Sequence, residues 1–310
     1  MRRTWIPVAA LLAALAGCQS SEETPPPSEG APSNLPSFVP PPPLNDRVEP
    51  DFDSDWDDVR ELKGGERDYE IAVWVTERRN FVLDGLRAKR PRLVQGIEIL
   101  NEVLDKVPDD SRDRLLLATC YFHAAAWWFK QADVVAWENA RLLTERTLPR
   151  TSREARVVVL EPEAIEKLAK EYNTYLDHAN SQVRTLADAG LREFARYRQQ
   201  RPDDKVVFDY VWKLYFYLQN YTESLRWLEG VLHEMDLADV PQSDPIRQDY
   251  VAIRDSLQNE LATMRMQGKA PTRPAGLIST LTQDTLGRSP DDLDPGAAIR
   301  DPEPGTYRDR

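Results

Sequence analysis

Four groups of side chains in this chain have chemistry to offer. Cys18 follows Leu15-Ala16-Gly17 and puts a thiol nucleophile at the end of a short apolar run. His123, His178 and His233 are the three imidazoles, and no pair of them has helix-borne ligand spacing such as HExxH. Asp51, Asp53, Asp55 and Asp57 alternate as at the start of a calcium loop, but Trp56 stands where that loop needs glycine. Leu62 falls where its bidentate Glu belongs, so a solvated acidic linker is expected there. Cys120, between Leu116, Leu117 and Tyr121, reads as a small core hydrophobe rather than a reactive thiol. Carboxylates total 52 of 310 residues, enough to pair anywhere on an acidic helical surface. No nucleophile elbow or Gly-rich phosphate loop occurs. The side chains therefore point to no catalytic residue, no metal and no cofactor, and the expectation is a binding protein rather than an enzyme.

Around Cys18 the elements are legible. Arg2 and Arg3 form a basic start, and Trp5 to Ala16 form an apolar run too short to span a bilayer. With Leu15-Ala16-Gly17-Cys18 this resembles the bacterial lipobox. The resemblance implies that Cys18 is acylated, that residues 1–17 are a removed signal peptide, and that the protein is membrane-anchored through lipid. Gln19 stands where the inner-membrane retention signal of such lipoproteins places Asp. By the same resemblance the anchor lies in the outer membrane and the chain faces the periplasm, with display on the cell surface as the alternative.

Composition narrows the partners. A formal net charge of −12 argues against nucleic acid, whose phosphates require a basic surface. It also argues against an electrostatic hold on anionic lipid. Residues 19–50 hold ten prolines among 32 positions and cannot bury a core. Extended at ~3.1 Å per residue, such a tether holds a domain up to about 100 Å from the membrane, within reach of the cell wall. Residues 18–65 are accordingly expected to be a disordered Pro-rich and acidic linker, and 268–310 a disordered tail.

Between them, residues 66–267 contain only four glycines, and prolines mark the ends of helical patterns. Tyr69, Val73, Glu77 and Phe81 predict a helix ending before Pro91, although Ile71 to Val75 alone would suit a strand. Leu93, Gly96, Ile97, Leu100, Val103 and Leu104 predict the next, stopped at Pro108. Ser111 is placed as the cap of a helix through Leu117, Ala118, Tyr121 and Ala124, with a separate helix from Val134 to Thr147. Pro149 to Pro162, with Arg153, Arg156 and Val157-Val158-Val159-Leu160, reads as a loop packed across the helices, the alternative being an insertion that touches a partner. Helices resume near Glu163, turn around Asn180, and run through Gly190, Phe194 and Tyr197 to Pro202. A hairpin follows, with Val211 and Tyr215 on one helix and Ser224, Leu228 and Val231 on the other. A last helix, Pro245 to Met266, closes the array. Gly96 and Pro108-Asp109-Asp110 recur 94 positions later as Gly190 and Pro202-Asp203-Asp204, which predicts a duplicated block of helix pairs.

This pattern resembles the tetratricopeptide repeat, a helical hairpin with small residues where its helices touch. The likeness covers roughly residues 77–238. It departs at Arg114, where an aromatic is usual, at Trp212, where a small residue is usual, and at Asp177 and His178, where Leu and Gly are usual. It implies an all-α, TPR-like α-solenoid of antiparallel hairpins. Its groove positions, carried over, fall on Arg112, Leu115, Thr119, Phe122 and His123, and on Val206, Asp209, Lys213, Phe216 and Tyr217. The function implied is a cell-envelope scaffold that binds protein partners close to peptidoglycan. The alternative is an envelope enzyme or peptidoglycan-binding accessory factor. If Cys18 carries the anchor, Cys18→Ser abolishes palmitate incorporation and moves the protein from the membrane to the soluble fraction on cell fractionation.

Overall fold

The computed structural model describes residues 38–41, 44, 46–146 and 160–267, and those residues are all-helical with no strand among them. The expected signal peptide over 1–17, Cys18, the reading of 149–159 and the expected disordered tail over 268–310 lie outside the described residues. Eight helices follow in order: α1 (Trp56–Glu61), α2 (Gly64–Arg87), α3 (Leu93–Lys106), α4 (Ser111–Glu145), α5 (Pro162–Gln200), α6 (Val207–Tyr217), α7 (Tyr221–Leu237) and α8 (Pro245–Gln267). Each packs on the next from α2 to α8, and α4 also touches α6.

Local rules set most boundaries. Charged flanks keep Ile71 to Val75 helical inside α2. Asp110, rather than Ser111, caps α4, because its carboxylate accepts from the backbone N–H groups of Arg112 (2.8 Å) and Asp113 (3.1 Å). Asn220 caps α7 in the same manner through the N–H of Glu223.

Two expected interruptions are absent. α4 runs unbroken for 35 residues, so Val134 begins no separate helix, and α5 runs for 39 through Asn180. No proline or glycine lies within α4, and an exposed asparagine costs a helix only a few tenths of a kcal/mol. The two helices, about 52 and 58 Å long, form one long antiparallel hairpin. Thus the 94-residue spacing of the two proline turns contains a single lengthened hairpin, not a duplicated block of several helix pairs.

The two matched glycines keep their role. A Cβ on Gly96 would lie 3.1 Å from Val82 Cγ1 and 3.5 Å from Cys120 Sγ. On Gly190 it would lie 3.2 Å from Leu214 Cδ1 and 3.3 Å from Tyr121 Cβ. In each case the following helix presses a side chain from 24 positions downstream, Cys120 or Leu214, onto the glycine. The main core gathers there, from α4, α5, α6, α7 and α8, with Phe194, Trp212, Leu214 and Leu228 fully enclosed. Arg114 donates to Glu193 at 2.8 Å and to the Pro108 carbonyl at 2.6 Å, with both charged side chains 11% exposed. This joins the start of α4 to the end of α5 and accounts for an arginine at a usually aromatic position. Arg79 of α2 grips Asp113 through two hydrogen bonds, 2.6 and 2.9 Å, and Asp110 through a third.

The acidic stretch is not a solvated linker. Asp55 caps α1, Trp56 packs on Trp74 at 4.8 Å, and Val59 is buried. The Arg78 guanidinium sits over the rings of Phe52 and Trp74. Upstream, Val48 exchanges two hydrogen bonds with Gln95, and Phe38 donates its N–H to Glu171 while stacking near Tyr172. The chain from Phe38 to Leu62 is thereby strapped across α5, α3 and α2.

Gly190→Val adds methyls where Leu214 and Tyr121 already touch, an overpacking cost of about 2 kcal/mol. Gly65→Ala, with nothing within 4 Å, stays neutral or gains a few tenths. Urea unfolding of both variants checks the contrast.

Candidate functional site

Asp209 lies in the first turn of α6, where a carboxylate suits the helix N-terminus. One turn later Lys213 donates to Asp209 Oδ2 at 2.8 Å. Asp209 Oδ1 accepts from the Tyr250 hydroxyl of α8 at 2.6 Å and from Trp212 Nε1 at 3.1 Å. Across from Lys213 stands His123 of α4. α4, α6 and α8 therefore meet at one polar cluster over the main core. Its exposure is uneven: the Asp209 side chain is 37% exposed and that of Lys213 is 14%.

The electrostatics follow from this enclosure. Desolvation pushes the Asp209 carboxyl upward, but the Lys213 charge and the hydrogen bonds from Lys213, Tyr250 and Trp212 outweigh it, and the net shift is downward. Burial and the adjacent Lys213 charge push His123 down to about 4, so it is a neutral imidazole at physiological pH. Lys213 is held by Asp209 and sits 5.5 Å from the centre of the Trp212 ring. Such a group offers fixed donors and acceptors to a docked segment. It is poorly suited to proton transfer at neutral pH, because its imidazole is too weak a base and its lysine is paired. Cys120 lies elsewhere, fully buried against Gly96, with its thiol pushed up to about 12 by desolvation. Among the described residues no group of His, Cys, Asp and Glu could hold a metal ion.

The ten carried-over groove positions divide evenly. Arg112, His123, Val206, Asp209 and Lys213 are partly exposed. Leu115, Thr119, Phe122, Phe216 and Tyr217 are buried core side chains and present no groove wall. Phe122 lies 5.0 Å from Tyr210 and Phe129 lies 4.6 Å from Tyr217, so the aromatics have been spent on joining α4 to α6. Thr119 turns its hydroxyl back to the Leu115 carbonyl at 2.9 Å. Two members of the cluster were not among the expected positions. Trp212 carried a local signal, since it stands three residues after Asp209 on the same helix. Tyr250 carried none, since 41 residues separate it from its partner.

The sign of the pH dependence follows from His123. Its native pKa lies below the ordinary 6.5, so folding favours the neutral ring. The contribution is complete above pH 6.5 and is lost as pH falls from 6.5 toward about 4. The loss reaches about 3 kcal/mol at most. Denaturant titrations across that window should show the decline in the native chain and a flatter profile in His123→Gln. Comparison of the chain with protein-family models, with curated proteins and with solved structures finds no match.

Proposed function

We propose that this protein is a lipid-anchored scaffold of the bacterial cell envelope, held at the outer membrane through Cys18 and facing the periplasm. In this reading it binds protein partners through the face shared by α4, α6 and α8. The finer architecture proposed is a TPR-like solenoid in which α2 and α3, α4 and α5, and α6 and α7 form successive hairpins and α8 caps the array. The observation that supports the reading is the helix contact repeated at Gly96 and Gly190, together with the partly exposed polar cluster shared by α4, α6 and α8.

That face carries a neutral imidazole, a paired lysine and a carboxylate, with the partly exposed Val206 three residues before Asp209. Mixed polar groups over a rigid apolar base suit capture of an extended peptide or a partner helix. The protein acts by holding partners together, with no cofactor and no chemistry of its own. Its neighbourhood includes peptidoglycan.

The test is crosslinking in cells followed by purification from membranes. Specific protein partners should be enriched over an unrelated lipoprotein, and Lys213→Glu should reduce their recovery about tenfold, as for loss of a central charged contact. Enrichment that matches the control, or peptidoglycan sedimentation that vanishes in Lys213→Glu while no protein is captured, would sink the scaffold reading.

A further inference from the structure

The distal half of α4 carries a partly apolar face that packing among the described helices leaves exposed. Phe129, Ala132, Val135 and Leu142 point into the hairpin and are buried. On the opposite side, Val134 is 44% exposed and Trp137 is 61% exposed, and Trp127 lies on the same strip at helical spacing. Lys130 and Arg141 fall on that strip as well, as do Glu138 and Glu145; Arg141 donates to Glu145 at 2.9 Å with its guanidinium 5.4 Å from the Trp137 ring centre.

The strip is continuous with the point where the N-terminal strap docks. Phe38 packs at 5.4 Å from Tyr175, Tyr175 at 6.3 Å from Trp128, and Trp128 at 4.9 Å from Trp127. Beside Phe38, Val39 is 83% exposed. Cys18 lies 20 residues before Phe38, and covalent geometry limits that span to about 70 Å. An acyl group on Cys18 therefore keeps a bilayer within that distance of the aromatic strip.

We infer that this face of α4 docks onto the bilayer interface and sets how the anchored body is oriented. Tryptophan side chains favour the boundary between headgroups and acyl chains, where one end is apolar and the other wet. Lys130 can extend its charged end into the headgroup layer from the same strip. The exposed apolar area, on the order of 300 Å² for two tryptophans and a valine, falls well short of the ~800 Å² per partner of a standard protein interface. A membrane needs no such matched surface, and the acyl chain supplies the second attachment that makes weak interfacial docking persistent.

The inference rests on the anchored reading for its geometry, and the test separates the two. The processed chain from Gln19, without acyl chains, retains every described residue. It is mixed with vesicles of phosphatidylethanolamine holding a minor share of phosphatidylglycerol. The native chain should sediment with vesicles, and the V134S/W137S double variant should lose about tenfold in bound-to-free ratio, following its lost apolar area. Both side chains are exposed, so helical content should be unchanged. Equal sedimentation of the two chains, or none by the native chain, overturns the inference. A native dimer in sedimentation velocity that the double variant dissolves overturns it in favour of a second copy. Failure of palmitate labelling at Cys18 is a separate result and concerns the anchor alone.

Discussion

The close approach permitted by Gly190 is the constraint on which the remaining packing depends. With hydrogen in place of a side chain, α5 settles against Tyr121 and the Ala118 carbonyl of α4 and against Leu214 of α6 at the same level. That approach brings α4 and α6 near enough for Phe122 to reach Tyr210 and for His123 to sense the Lys213 charge. A bulkier residue would push three helices apart, and the polar cluster would lose its spacing along with the core. The aromatic core and the candidate site are two outcomes of one packing distance.

Buried charge reinforces the same junction. Arg114 and Glu193 connect helices across 79 residues of sequence, with Arg114 also held by the Pro108 carbonyl and Glu193 by Arg196. Arg79 performs a similar service between α2 and the start of α4, holding the cap residue Asp110 as well as the buried Asp113. Burial lowers the Arg79 pKa and the two carboxylates raise it more, so the guanidinium stays charged. Pairs of this kind contribute little net stability compared with apolar side chains of equal volume, but they tolerate only one arrangement of the helices. They specify which helix ends meet.

The proline turns, the amphipathic helices and the hairpin after Pro202 were legible because each rests on local rules: a missing N–H and a stripe at helical spacing, although the cap of α4 fell on Asp110 one residue before the expected Ser111. Val134 and Asn180 misled because each was read as the edge of a new helix, whereas neither valine nor asparagine stops a helix, and α5 runs on even through Gly190. The residues Asp51 to Asp58 read as solvated because their carboxylates outnumber Phe52 and Trp56, yet those two rings find Phe81 and Trp74. Half of the expected groove proved to be core for a related reason. Leu115, Phe122, Phe216 and Tyr217 have types that suit either a binding wall or a helix interface, and only the partner helix decides between them. The contribution of Tyr250 to the cluster is purely tertiary, so no spacing could have revealed it.

The strap from Phe38 to Leu62 also gives the chain an adjustable length. Its attachment is a short series of separate clasps: Phe38 at Glu171 and Tyr172, Val48 at Gln95, then Phe52 against Phe81. Tension applied from the N-terminal side loads these clasps one after another instead of all together, as a zip opens rather than as a seam tears. Releasing the 17 residues from Phe38 to Ser54 would lengthen the lead by up to about 60 Å while leaving α1 seated. Slack held in this way would be let out before any helix has to unfold.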